Sequence, residues 1–281
     1  MRDDASPMAP AAATRPTALI TGATAGLGAA YARALAARGH PLVLVARDRE
    51  RLAAAAEALQ GAHGVPVETI AADLSTDAGV DTVIARIAEG EGAAGRLVGL
   101  LVNNAGFGTK GSIARGDGAA QDTMVRLHIL AVHRLTQAAI KVMVPRGRGA
   151  VITVASVASY LTSPGNVNYC ATKGYQRMAM ESLAAEVAPR GVYVQALCPG
   201  FTRTEFHARA AMSMHTIPGW MWLEADAVVA ASLAAKERGG PTVVIPGALY
   251  QAAVLLLRFL PRWAVRLMSG RYRETRRAVE G

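Results

Sequence analysis

The 281-residue chain is 52% hydrophobic and 18% charged, a size and composition that fit one α/β domain with a sizeable core. Its two cysteines, Cys170 and Cys198, lie inside apolar motifs, which excludes a disulfide framework and points to a reducing, cytoplasmic setting; no apolar run approaches the ~20 residues of a membrane span. The formal charge of +9 is concentrated late, with seven arginines against two glutamates between residues 258 and 281, and no recognition module accompanies it to suggest nucleic acid.

In chain order, residues 1–15 lack the apolar core of a secretory signal and read as a disordered tail. Pro16–Thr21 is a short apolar run, followed by Gly22, Gly26 and Gly28 and an alanine-rich helical pattern to about Arg38. Strand, glycine turn and helix N-terminus together form a pyrophosphate site: glycines let the backbone approach, and unpaired N–H groups with the helix dipole hold the anion. Strands are expected at Pro41–Ala46, Val65–Ala71, Leu97–Val102, Ala150–Ala155 and Val192–Leu197. Helices are expected at Asp48–Gln60, Thr76–Glu89, Gln121–Val144 and Asn166–Ala188. This alternation predicts right-handed βαβ units and a parallel sheet covered on both faces. Gly22, Asn103, Ser156 and Pro199 then all fall at the carboxyl edge of the sheet, where such folds bind ligands.

The chemistry concentrates between Ser156 and Lys173. Tyr169 stands thirteen positions after Ser156, and Lys173 four after Tyr169, so the tyrosine and lysine share one helix face. An ammonium beside a phenol is expected to lower a pKa that is normally near 10, giving an acid–base group for carbonyl or alcohol proton transfer.

With the Gly-x3-Gly-x-Gly turn and Asn103-Asn104-Ala105-Gly106 between the two ends, the chain resembles the short-chain dehydrogenase/reductase family from about Pro16 to Gly247. The resemblance implies a Rossmann-like doubly wound sheet with a seventh strand at Thr242–Ile245 and order 3-2-1-4-5-6-7. It implies that Tyr169 protonates a carbonyl oxygen, that Ser156 hydrogen-bonds that oxygen, and that Lys173 serves both the tyrosine and the nicotinamide ribose. It places Gly22, Thr24, Ala25, Gly26, Leu27, Gly28, Asp73, Leu74, Asn103, Ala105, Gly106, Pro199, Gly200 and Thr202 around the cofactor; no metal is called for. Where many relatives carry an asparagine that anchors a relay water, this chain has His128. A histidine there could hold the same water, relay the proton, or be a satisfied helix residue.

An acidic residue closing the second strand would repel a 2′-phosphate. Here Ala46 is followed by Arg47, whose guanidinium suits a phosphate, so the expectation is NADP in preference to NAD, with Arg47 as its phosphate ligand. Residues 202–223, with Phe206, Met212, Met214, Trp220 and Trp222, resemble the family's variable substrate lid and form an adaptable apolar wall. They suggest a hydrophobic ketone or secondary alcohol, steroid-like or fatty-chain. The expected organisation is a tail over 1–15, a catalytic domain over 16–248 and a basic amphipathic extension over 249–281. That extension is read as completing a homodimer or homotetramer interface or covering the cleft, ahead of lying on a membrane surface. An alternative function class is a non-catalytic dinucleotide-binding redox sensor or membrane-surface scaffold, which would have no need of Ser156, Tyr169 and Lys173 together.

Overall fold

The computed structural model describes residues 15–89, 97–109, 113–114, 116–205 and 217–260. The expected tail before Arg15, the lid stretch 206–216 and the arginine-rich stretch from 261 lie outside the described residues.

Seven parallel strands form the central sheet: β1 (Thr17–Thr21), β2 (Leu42–Ala46), β3 (Val67–Ala71), β4 (Val98–Asn103), β5 (Gly149–Val154), β6 (Val192–Leu197) and β9 (Val243–Val244). Their order is β3-β2-β1-β4-β5-β6-β9, so the chain winds outward from β1 in both directions and leaves a crevice between β1 and β4. Two short strands, β7 (Thr202–Arg203) and β8 (Leu223–Glu224), pair separately beyond β6. Side chains alternate along each central strand between two cores. Ala18, Ile20, Leu42, Leu44, Leu100 and Val102 enter one; Leu19, Val43, Val45 and Leu101 enter the other. Both faces are apolar because helices cover both.

The first core is roofed by α1 (Gly26–Ala36), α2 (Arg49–His63) and α7 (Ala225–Glu237), the second by α3 (Asp77–Ala88), α5 (Val132–Met143) and α6 (Val167–Val187). The single helix expected at Gln121–Val144 is a composite: α4 (Gly118–Val125), a π-helical turn over Arg126–Ala131, then α5. A π turn holds one residue more than an α turn, so its presence is invisible to a 3.6-residue pattern. A last helix, α8 (Ala248–Phe259), follows β9. Among the described residues, no helix is long and apolar enough to cross a membrane.

Candidate active site

At the carboxyl end of β1 the backbone makes the turn that the glycines predict. Gly22 and Gly26 have φ of 65° and 52°, values that carry little penalty only without a Cβ. Gly28 is excluded from substitution differently: a Cβ there would lie 2.1 Å from the Gly22 carbonyl oxygen. Thr24, Ala25 and Leu27 complete a partly buried rim. The helices α2, α3 and α4 are capped by the side chains of Asp48, Thr76 and Asp117. Helix α1 opens at Ala25 with no side-chain cap and no acidic residue in its first turn; α6 and α8 also lack both, but α1 alone of the three follows the Gly22–Gly28 turn. Its first N–H groups and positive dipole end are thus left for an anion.

This turn is stapled to the end of β4 by Thr21, the last residue of β1, and by Asn104 of the Asn-Asn-Ala-Gly stretch. Asn104 donates its side-chain amide to the carbonyls of Thr21 and Gly22 at 2.9 and 3.2 Å. The Thr21 hydroxyl oxygen accepts from the N–H groups of Asn104 and Ala105 at 2.9 and 3.0 Å. Asn103, expected beside the cofactor, is buried and donates its side-chain amide to Thr136 and Thr153. It shapes the turn from beneath, while Ala105 faces the crevice side of the Gly22 backbone.

Across the β2 and β3 ends, Arg47 is exposed and its charge reaches Asp73. Burial works to raise the Asp73 carboxyl, but the Ser75 N–H and hydroxyl, at 2.9 and 2.8 Å, together with Arg47, outweigh it and hold the carboxyl below its ordinary range. Leu74 beside it is buried. Arg51, not singled out in the sequence, reaches the same rim, donating to the Thr24 carbonyl at 3.2 Å and pairing with Glu205 at 3.5 Å.

Ser156 ends the β5 run as the cap of a short 3-10 turn over Val157–Tyr160, accepting from the Ala158 N–H at 3.1 Å. The serine is also hydrogen-bonded to the Tyr169 hydroxyl. Lys173, one turn on, is buried and places its ammonium 6.0 Å from the Tyr169 ring centre. The geometry brings these three together, but the expected lowering of the tyrosine pKa is overturned. Burial dominates and pushes Tyr169 up to about 12, with the Ser156 hydrogen bond only partly opposing it. Burial likewise pulls Lys173 down to about 7. Spacing predicts which groups meet; it does not report how far they are removed from water.

His128 lies in the π turn, wholly buried. Its Nε2 accepts the Phe107 N–H at 3.2 Å, which leaves the ring proton on Nδ1 for the Thr172 hydroxyl oxygen at 3.0 Å. The Thr172 hydroxyl in turn donates to the Tyr169 carbonyl at 3.1 Å. Burial, with the Lys173 charge adding to it, drives the imidazole pKa well below its usual value. Of the readings left open for His128, holding a water or relaying the proton therefore gives way to that of a satisfied helix residue: both ring nitrogens are occupied by protein, and the ring is neutral. Gly106 belongs to the same contact, since a Cβ there would lie 2.7 Å from His128 Nε2.

Beyond β6, the Pro199 carbonyl accepts the Val157 N–H at 3.0 Å and so ties this segment to the serine turn. Thr202 donates its hydroxyl to the Gly200 carbonyl at 3.0 Å. Gly200 lies under the ring of Tyr250, where a Cβ would come within 2.1 Å of it. The Tyr250 hydroxyl accepts from Phe201 N–H at 3.0 Å and donates to the Met221 carbonyl at 2.6 Å. Helix α8, which opens the expected extension over 249–281, is thereby pinned to the catalytic side. The rings of Phe201 and Trp222 pack beside it at a tilt of 49°, their centres 5.9 Å apart. Cys170 and Cys198 are buried free thiols, and burial pushes Cys198 up to about 11.

Comparison with known proteins adds an independent line. A profile described as short chain dehydrogenase matches residues 16–214. A short-chain dehydrogenase from Sphingobium yanoikuyae, solved in complex with NADPH, is 35% identical, with a TM-score of 0.77 over 88% of this chain and 97% of that one. The bulky-bulky ketone specific alcohol dehydrogenase of Comamonas testosteroni is 32% identical, with a TM-score of 0.74 over 88% and 96%. Gluconate 5-dehydrogenase of Gluconobacter oxydans is 28% identical over 233 residues, 80% of this chain and 89% of its own length.

Proposed function

The chain belongs to the short-chain dehydrogenase family, oxidoreductases of CH–OH and C=O groups, and from that premise we propose that it interconverts a hydrophobic ketone and its secondary alcohol with NADP(H), Tyr169 being the acid and base. The observation that carries this reading is the meeting of Ser156, Tyr169 and Lys173 beside a glycine turn whose helix is left uncapped. Bound along that turn, NADP(H) supplies or accepts the hydride. Gly22 to Gly28 and the α1 N-terminus hold its pyrophosphate, and Arg47 holds the 2′-phosphate, in keeping with the NADPH carried by the Sphingobium neighbour.

In the reducing direction Ser156 donates a hydrogen bond to the carbonyl oxygen and Tyr169 gives that oxygen its proton. A phenol held near 12 is fully protonated at neutral pH, and is therefore loaded as the acid. As the proton leaves, negative charge grows on the tyrosine oxygen in a low-dielectric site, where the nearby Lys173 ammonium stabilises it. The lysine is thus an electrostatic partner in the transition state more than a modifier of the resting tyrosine.

The aromatic rings of Phe201 and Trp222 pack together and Trp220 is exposed, and the Comamonas neighbour is specific for bulky-bulky ketones. Both support a substrate with large apolar groups on the carbonyl. Exposed Tyr175 and Met178 on α6, and Leu255, Leu256 and Phe259 on α8, fit a homo-oligomer. The test is NADPH oxidation across a panel of bulky ketones, with NADH alongside and Arg47→Ala as a variant. Turnover with NADPH is expected, and Arg47→Ala should weaken NADPH by about 1.5–3 kcal/mol while leaving NADH unchanged. No turnover of any ketone or alcohol with either cofactor sinks the reading; equal losses for both cofactors move the phosphate site towards Arg49 or Arg51.

A further inference from the structure

Gln176 is almost completely buried, and it follows Lys173 by three positions on the inner face of α6. Its amide is committed at both ends. Nε2 donates to the main-chain carbonyl of His128 at 2.9 Å, and Oε1 accepts from the Lys173 ammonium at 2.9 Å. The orientation is dictated by chemistry: a carbonyl only accepts and an ammonium only donates, so the two ends of the amide cannot be exchanged. Lys173 makes its second bond to the Val154 carbonyl at 2.7 Å. Two of its three protons are therefore fixed, one by the end of β5 and one by Gln176.

We propose that Gln176 is a positioning residue for Lys173: it spans from the π-turn carbonyl of His128 to the ammonium and fixes the lysine's place beneath the catalytic tyrosine. The span is a direct protein bridge where a water could otherwise sit. An amide has no readily transferred proton at neutral pH, so this bridge orients the lysine and does not conduct. Gly106, Phe107 and Thr172 support it from behind by locking the His128 ring. An ammonium that lost one of two acceptors in so dry a place would be less stable as a cation. The ionisable groups facing Lys173 are Tyr169 on its own helix, His128 from the π turn and Cys198 beyond β6.

The proposal rests on Lys173 serving Tyr169, and the experiment separates the two. Gln176→Met keeps the volume and deletes both hydrogen bonds; Gln176→Glu keeps an acceptor for the lysine and adds a negative charge. In the NADPH-driven reaction, Gln176→Met should lower kcat about tenfold with little change in ketone KM. The pH limb of kcat should move down in Gln176→Met and up in Gln176→Glu, each by about one unit. Folded variants that leave the limb in place would reduce Gln176 to a packing residue and overturn the proposal. A readout without turnover uses the unaltered protein. The Gln176 side-chain amide resonance should exchange slowly and shift as Lys173 titrates near neutral pH, and this shift should vanish in Lys173→Met. A fast-exchanging, pH-independent resonance overturns the proposal even if neither Gln176 variant folds. Full activity of Lys173→Met would instead remove the lysine from the mechanism while the resonance still reported the contact.

Discussion

Helices α6 and α8 both lie beside the site, and they divide polarity between inside and outside in opposite ways. The inner face of α6 carries Thr172, Lys173 and Gln176, all buried and all hydrogen-bonded. The inner face of α8 carries Tyr250 and Val254, while Leu249, Leu255, Leu256 and Phe259 face outward, Phe259 at 79% exposure. Burying polar groups is tolerable only with every partner supplied, so α6 is held to one arrangement and is suited to chemistry. An outward apolar face is unfavourable in water, so α8 is suited to being covered. Position beside an active site does not by itself make a helix catalytic; the satisfied polarity does.

The strongest way to break this contrast is Tyr169→Phe. It should cut turnover by on the order of 10²–10⁴-fold and leave NADPH affinity nearly intact, because the ring remains and only the hydroxyl goes. Steady-state kinetics with a cofactor titration checks it; retention of most of the rate would take proton transfer away from α6.

Truncation after Gly247 is the corresponding test of α8. It removes Tyr250 and Val254 from the buried side, and the expected outcome is aggregation or lost assembly by size-exclusion chromatography. The opposite result would be a well-behaved, active truncated enzyme together with salt-sensitive binding of the intact chain to anionic vesicles. That would reassign the outward face to a membrane surface.

A subtler test uses the buried lysine. Its pKa is about 7 in the fold against 10.5 when free, so between those values the unfolded chain binds the extra proton. Stability from this group therefore rises with pH across that window, and its penalty is full below about pH 7. Lys173→Met removes the penalty, so its Tm relative to wild type should be more favourable at pH 6.5 than at pH 10. A difference that is flat or grows with pH would contradict the burial account. The smallest effect belongs to Tyr250→Phe, which deletes the hydroxyl bonded to Phe201 and Met221 and should cost about 1–3 kcal/mol in chemical denaturation. No measurable loss would mean that α8 is held by ring packing over Gly200 alone.

Much of this site could be read from spacing, because the informative contacts are local or periodic. The glycine turn and the Tyr169–Lys173 pair depend on positions within one turn or one repeat, and Ser156 on its place at a strand end. Gln176 obeys the same helical arithmetic, three residues past Lys173, and a continued reading of that face would have found it. Asn103 and Asn104 were harder. Neighbours at a strand end face opposite sides, and only the register with β1 and β5 says which one enters the core. The Tyr250–Gly200 contact joins residues fifty apart in the chain, and no local pattern encodes it. The π turn and the burial that raises Tyr169 were beyond reach for a related reason: both are properties of the assembled sheet and helices.

The π turn also sets a rule about chain length. It amounts to a single residue looped into an otherwise regular rod running from Gly118 to Met143. Deleting one residue between Arg126 and Ala131 would restore regular winding and leave both flanks close to their present register, because the π turn already absorbs that residue. Gln121 would keep its bonds to Thr109 and Asn168, and Met124 its place in the core. Downstream, α5 would keep its seat against the sheet. The segment should therefore tolerate the loss of a single codon better than α4 or α5, where the same loss would turn one flank by about 100°.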